Sequence, residues 1–200
     1  MLKTTLRRTG RALKRGVGFT LAEILIALAL IAILAAVLLP TVASQIGKGD
    51  AGRVMQDVDA VRAGIEQYLA DVHRYPSKYS QLTNAITISD RDVNGTLYPG
   101  GLVAKWNGPY TSKLLNDADA LPTGFGAVIR DTLVKTLNAG NSVNYVTVVI
   151  VGIDWVGFSR LELEIDGTSA DSATAVTTGS LRWIPNAAGD TTRYLALPIQ

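Results

Sequence analysis

The stretch that decides the fold is Gly18-Phe19-Thr20-Leu21-Ala22-Glu23, followed by the apolar run 24–39. No charged residue occurs between Glu23 and Lys48, and a helix needs about 20 apolar residues to cross the hydrocarbon core of a bilayer. Six basic residues precede the stretch: Lys3, Arg7, Arg8, Arg11, Lys14 and Arg15. Because basic flanks remain in the cytoplasm, the sequence predicts a single-pass membrane helix whose N-terminus is cytoplasmic.

The charge of Glu23 stands at the start of this apolar helix. A carboxylate is costly to place in hydrocarbon, and the cost falls toward the membrane interface. One interpretation is that Glu23 is solvated at the depth of the lipid headgroups. The other is that it meets a cationic partner in apolar surroundings, and the carboxylate by itself leaves both open.

This stretch resembles the N-terminal signature of the type IV filament proteins, which are the type IV pilins and the pseudopilins of type II secretion and competence systems. Their signature is a short basic leader (a class III signal peptide), a Gly, a Phe, then Thr-Leu-x-Glu and a long apolar helix. It reads here as Arg15-Gly16-Val17-Gly18-Phe19-Thr20-Leu21-Ala22-Glu23. The resemblance covers residues 15–76 well.

The resemblance implies that residues 1–18 are a prepilin leader, which a prepilin peptidase removes by cutting between Gly18 and Phe19. The same enzyme is expected to N-methylate Phe19. The resemblance further implies that Glu23 neutralises the amino terminus of Phe19 in a neighbouring subunit. An uncleaved signal anchor on a surface protein is the alternative.

Residues 19–52 are predicted to form the transmembrane and filament-core helix, which contains a soft segment over residues 40–52. Pro40 lacks an N–H, and its ring crowds the carbonyl one turn earlier, so a kink is expected there. Three glycines follow, each costing a helix about 1 kcal/mol relative to alanine: Gly47, Gly49 and Gly52. The segment is either a simple break or, as the resemblance favours, a region that unwinds during filament packing.

An amphipathic helix is predicted over residues 53–72, because apolar residues recur there at spacings of three and four. The apolar positions are Val54, Val58, Val61, Ile65, Tyr68 or Leu69, and Val72. Charged residues fill most other positions, and we expect these to face solvent: Arg53, Asp57, Asp59, Arg62, Glu66 and Asp71. The helix should end before Tyr75-Pro76.

The C-terminal half predicts a sheet. Residues 73–123 are rich in turn signals and form an αβ-loop, with one short helix near residues 79–85. Strands are predicted over 124–134, 144–151, 181–184 and 192–197. Residues 158–165 fit either a helix or a strand, and resemblance to pilin-like proteins favours the helix. The fold class is therefore α+β: a long N-terminal helix packed on a C-terminal antiparallel sheet of about four strands, with a globular head over residues 53–200 (the pilin fold).

Composition argues against an enzyme. The chain has no cysteine and a single histidine, His73, so thiolate chemistry and histidine metal clusters are absent from the sequence. Neither a catalytic triad pattern nor a phosphate-binding loop occurs, and no cofactor is expected. Without residues 1–18 the chain has 13 basic and 17 acidic residues, a net charge of −4, so bulk charge does not indicate a nucleic-acid-binding surface.

Two local patterns remain in the head. Arg160, Arg182 and Arg193 alternate with aromatic residues and could line a groove for DNA, or they could be ordinary strand-surface charges. The aromatic residues are Trp155, Trp183 and Tyr194. The piece Trp106-Asn107-Gly108-Pro109-Tyr110 resembles a segment of many major pseudopilins, and we expect its rings to pin a loop onto the core while their polar ends stay in water.

The predicted function is that of a structural subunit of a type IV pilus-like filament. Its implied partners are further copies of itself, the prepilin peptidase, an inner-membrane assembly platform, and membrane lipid before assembly. The filament is expected to be periplasmic or extracellular, with adhesion or motility as candidate roles. The absent cysteines favour a pseudopilin, and the long C-terminal half favours a pilin or minor pilin. A DNA-capturing minor pilin is the alternative function.

Overall fold

A computed structural model describes residues 18–168, 171, 173–185 and 190–199. The predicted leader, apart from Gly18, lies outside these residues. The chain divides into two compact units, of which the first ends at Val42 and the second comprises residues 43–200. The predicted boundary between anchor and head, after residue 52, lies ten residues beyond this division.

One long helix, α1 (Leu21–Val72), supplies the first unit and enters the second. In the first unit the side chains are exposed apart from Ala35, which is partly buried. The most apolar window of α1 has a mean hydropathy of 2.9 and none of it is buried. This helix fits a single-pass membrane anchor. Pro40 lies inside α1, which is helical throughout residues 40–52. The kink at Pro40, and the unwinding of residues 40–52 during filament packing, stay predictions.

In the second unit, α1 buries one face under the rest of the head. The predicted apolar stripe is confirmed, with Tyr68 rather than Leu69 at the alternative position. The helix ends at Val72, and His73 follows in a left-handed conformation with φ of 60°, a common way to terminate a helix. Asp57, predicted to be exposed, is buried instead, with 2% of its surface accessible.

The sheet has five strands in the order β1-β2-β3-β5-β4, all antiparallel. Its strands are β1 (Ala120–Pro122), β2 (Val128–Asn138), β3 (Val143–Val151), β4 (Leu181–Ile184) and β5 (Thr191–Pro198). The α+β class with the long helix packed on an antiparallel sheet is confirmed. The prediction of about four strands missed β1, which lies within the predicted αβ-loop.

The strand predicted over 124–134 begins four residues later than expected. Gly124 packs directly against the backbone carbonyl of Asp50 in α1, where any side chain would clash. Phe125 and Gly126 then adopt positive φ values of 59° and 67°, which no strand accommodates. A 3-10 turn over Gly124–Gly126 therefore precedes β2.

Three shorter helices complete the described head: α2 (Ser80–Thr83), α3 (Gly100–Val103) and α4 (Trp155–Ile165). Both predicted helices, near 79–85 and over 158–165, are confirmed by α2 and α4. Asp154 caps α4 by accepting a hydrogen bond of 2.8 Å from the amide of Gly157, and such a cap favours a helix over a strand. Phe158 and Leu161 face the core.

Candidate functional site

Thr20 and Glu23 form a reciprocal cap at the start of α1. Glu23 Oε2 accepts hydrogen bonds of 2.9 Å from the amide and from the hydroxyl of Thr20. In return, the amide of Glu23 donates to Thr20 Oγ1 at 3.2 Å. This is a capping box, in which two amides at a helix start obtain partners that the helix itself cannot supply.

The cap occupies one oxygen of the Glu23 carboxylate. Within the described residues both bonds from Thr20 reach Oε2, and Oε1 accepts none. The capping signal was present in the sequence as Thr-x-x-Glu before an apolar run, but sequence reasoning treated Glu23 only as a charge. Glu23 can therefore hold the helix start and still offer an oxygen to a partner.

Gly18 and Phe19 precede the helix, outside regular secondary structure, and both are exposed. The Phe19 side chain is 83% accessible, and a Cβ placed on Gly18 would meet no described residue within 4 Å other than its chain neighbours. A protease needs such an uncovered, non-helical stretch of backbone. Cleavage between the two residues and methylation of Phe19 stay predictions.

A second polar site, missed at the sequence level, links α1 to the loop before the sheet. Asp57 Oδ1 accepts a hydrogen bond from Lys113 Nζ, and Asp57 Oδ2 accepts one of 2.6 Å from the hydroxyl of Thr123. A buried carboxylate needs such partners, because an unpaired one is very costly. No sequence signal separates Asp57 from its exposed neighbours, since Lys113 and Thr123 are far away along the chain.

The rings of the segment from Trp106 to Tyr110 pack as predicted, but their polar ends, which were predicted to stay in water, bond within the protein. The indole N–H of Trp106 donates to the carbonyl of Gln81 at 2.9 Å, and the Tyr110 hydroxyl donates to Asp71 Oδ2 at 3.0 Å. The rings of Trp106 and Tyr110 meet edge to face, with centroids 5.6 Å apart. Both polar ends are thus engaged within the protein, which is the arrangement of a structural clasp.

A tyrosine cluster adjoins this clasp at the end of α1. Tyr68 contacts Tyr110 edge to face at 5.5 Å, and the Tyr98 hydroxyl donates to the carbonyl of Tyr75 at 3.3 Å. Burial raises the pKa of Tyr98 to about 12. Burial raises the pKa of Tyr68 as well. These phenols stay neutral at ordinary pH and serve packing.

The predicted groove for DNA is not formed. Trp183 and Tyr194 are buried, and Trp155 packs against Phe158 and Trp183 with centroids 5.4 Å away. Arg182 is only 3% accessible and donates to Asn138 at 3.0 Å. Buried rings of this kind are not free to stack on bases. Arg182 and Arg193 lie on β4 and β5, whereas Arg160 lies on α4.

The carboxylates of the C-terminal half mostly serve the backbone. Asp166 accepts from the amides of Ser180 and Leu181, and Asp171 accepts from the Thr174 amide at 2.8 Å. The hydrogen bonds from the amide and the hydroxyl of Thr174 lower the pKa of Asp171. Among the residues that the structure describes, no group of three potential metal ligands occurs.

An uncovered apolar helix with a capped carboxylate, followed by a helix-and-sheet head, defines a class of proteins anchored by an N-terminal helix. Two curated relatives make this more specific. Type II secretion system core protein G of Klebsiella pneumoniae is 27% identical over 89 residues, which are 44% of this chain and 64% of that protein. The protein of the same name from Klebsiella michiganensis is 29% identical over 99 residues, 46% of this chain and 70% of that protein.

These relatives confirm the resemblance to the pilin and pseudopilin family. The chain spans less than two thirds of the length of the first relative and slightly more than two thirds of the length of the second. No family profile matches the chain, and no solved structure matches it.

Proposed function

We propose that this protein is a pseudopilin-like structural subunit, which polymerises from the inner membrane into a filament of a type II secretion apparatus. The observation that carries the proposal is the exposed apolar surface of the first unit of the chain. Its apolar side chains are exposed along the whole helix, and Glu23 is its one charge among the described residues. Such a surface requires lipid before assembly and neighbouring helices afterwards.

Processing by a prepilin peptidase is the first step of this function. Removal of residues 1–18 creates a free amine on Phe19, four residues before Glu23. That amine is a cation in an apolar setting, where an ion pair is strong and an unpaired charge is costly. Two subunits staggered so that Phe19 of one meets Glu23 of the next satisfy both charges, and other registers leave them unpaired.

The relatives favour secretion over the other roles of this family, because both carry the name of a type II secretion component. The assembly platform and the peptidase are then the partners in the membrane. The subunits pack against one another through their apolar helices, and their heads form the filament surface.

Mass spectrometry of the native N-terminus tests the proposal. We expect a chain that begins with methylated Phe19 when the protein is co-expressed with an active prepilin peptidase, and slower removal of the leader in Gly18→Ala. A second measurement is the yield of sheared filaments, which Glu23→Ala should abolish while the membrane level of the protein is unchanged. A protein that keeps residues 1–18 beside an active peptidase, and stays monomeric, contradicts the proposal.

A further inference from the structure

A pocket of about 200 Å³ lies within the second unit, between residues 44–51 of α1 and α4. Gly47 and Lys48 line it from α1, and Arg160, Leu163 and Glu164 line it from α4. None of these residues belongs to the cap at Glu23 or to the polar link at Asp57. The pocket is large enough for a phosphate group and part of an attached headgroup.

The Arg160 side chain packs on α1 at Gly47. Gly47 is buried, although Ile46 and Lys48 on either side are exposed. Gly47 is covered because the Arg160 guanidinium lies directly on its backbone, so closely that a Cβ at this position would overlap Nη1. The absence of a side chain at Gly47 therefore leaves room for the guanidinium beside α1.

The two cations of the pocket have no acidic partner among the described residues. Neither Lys48 nor Arg160 forms one of the salt bridges of the described head. The carboxylate of Glu164 also lines the pocket, so the pocket has a net charge of about +1. A guanidinium fork and an ammonium group are the side chains that bind phosphate oxygens best.

The pocket lies shortly after the apolar run in the sequence, which indicates that the nearby phosphates are those of lipid headgroups. Lys48 is the first charged residue after the apolar run, and it follows Val42 by six residues, about 9 Å of helix. The headgroup layer of a bilayer extends several Å beyond the hydrocarbon core, and lysine and arginine side chains reach into that layer. Ile46 and Leu163, which are 61% and 57% accessible, add apolar side chains suited to the same interface.

We propose that the pocket formed by Gly47, Lys48, Arg160, Leu163 and Glu164 binds the headgroup phosphate of an anionic phospholipid while the subunit is in the membrane. This inference rests on the membrane anchoring in the proposed function. The bound lipid must dissociate when the subunit enters a filament.

The test uses the full chain, one copy per nanodisc, in phosphatidylcholine alone or in an equal mixture of phosphatidylcholine and phosphatidylglycerol. Native mass spectrometry then gives the ratio of phosphatidylglycerol to phosphatidylcholine molecules retained by the released protein. We expect enrichment of phosphatidylglycerol in the wild type. Each of Lys48→Gln and Arg160→Gln should reduce the enrichment roughly fivefold, as expected for one basic residue at an anionic surface.

Two further variants make the result specific to the pocket. Glu164→Gln removes the repelling carboxylate and should increase the enrichment. Lys105→Gln removes an equal charge from an exposed site next to Trp106, near the other end of the head part of α1, and should leave the enrichment unchanged.

The outcomes separate this inference from the proposed function. A chain that inserts but shows no enrichment, or whose enrichment is insensitive to Lys48 and Arg160, overturns the lipid site only. Loss of the enrichment on adding inorganic phosphate at constant ionic strength shows a general anion site and overturns the assignment to lipid. A chain that does not insert into the bilayer overturns both.

Discussion

The Glu23 side chain has two roles that single substitutions can separate, since it caps its own helix and carries the proposed assembly charge. Glutamine at this position keeps an oxygen for the Thr20 amide, because glutamine also serves in a capping box. Thr20→Val removes the hydroxyl that bonds to Glu23 and keeps the carboxylate. We expect Glu23→Gln to lose filaments and Thr20→Val to retain them, measured as the sheared filament fraction at equal membrane levels.

The reverse pattern has a clear meaning. Normal filaments from Glu23→Gln, with few from Thr20→Val, show that the carboxylate matters through the cap alone. The charge-pairing account of subunit register is then wrong.

Asp57 shows how one buried charge connects elements that are far apart in sequence. Its carboxylate holds Lys113 and Thr123 against α1, and its side chain is almost fully buried. Asp57→Asn keeps the size and removes the charge that faces Lys113. We expect a loss of about 1–2 kcal/mol in the free energy of unfolding, measured by denaturant titration.

Asp59→Asn is the matched control for this variant. Asp59 lies two residues away on the same helix and is exposed, and substitutions at such sites change stability by less than about 0.5 kcal/mol. Equal effects of the two substitutions would mean that the link from Asp57 to Lys113 and Thr123 contributes nothing to stability.

At the scale of the elements, the sequence predicts best where local pattern and burial agree. The apolar stripe of α1 was readable because every third or fourth residue enters one core. β3 is also close to its predicted span, since a continuous β-branched run such as 146–151 suits a central strand. In both cases the type of each residue agrees with its place in the helix or strand, so the local pattern alone predicts the element.

Prediction failed where the structure depends on partners distant in the chain. β1 is three residues long and includes Pro122, and it exists because it pairs with Val128 to Arg130 of β2. The late start of β2 follows from the contact of Gly124 with Asp50. The hydrogen-bond partners of Asp57 and the residues that line the pocket around Arg160 likewise come from segments that only the folded chain brings together.

The glycines of the soft segment differ in their surroundings, and this gives a prediction for α1. Gly49 has nothing within 4 Å of the position of a Cβ, whereas a Cβ at Gly47 meets Arg160. Gly49→Ala should therefore stabilise the helix by up to about 1 kcal/mol, and Gly47→Ala should gain less or lose stability. Thermal unfolding of the two variants measures the difference.

The same pair of variants tests whether the segment unwinds during packing. If residues 40–52 open in the filament, the added helix stability of Gly49→Ala opposes assembly, and the filament yield falls although the subunit is more stable. An unchanged yield contradicts the unwinding and favours the simpler interpretation of a break between anchor and head.

At the scale of the whole molecule, the question is where the head begins. Before Gly47 in the sequence, every described side chain is exposed except that of Ala35, which is partly buried. Gly47 and Ala51 are the first buried residues. A fragment of residues 43–200 keeps both and contains the complete buried face of α1. A fragment of residues 53–200, which starts at the boundary predicted from the sequence, lacks them and also loses the Asp50 carbonyl against which Gly124 packs.

We expect both fragments to dissolve without detergent, because each lacks the apolar run of the anchor. The longer one should unfold at the temperature of the detergent-solubilised full chain, since the removed residues add nothing to the described core of the head. The shorter one should be less stable by at least about 1 kcal/mol, from the lost burial of Ala51 and of the first helical turns. Equal stability of the two fragments would place the start of the head at residue 53, and Gly47 and Ala51 would then belong energetically to the anchor.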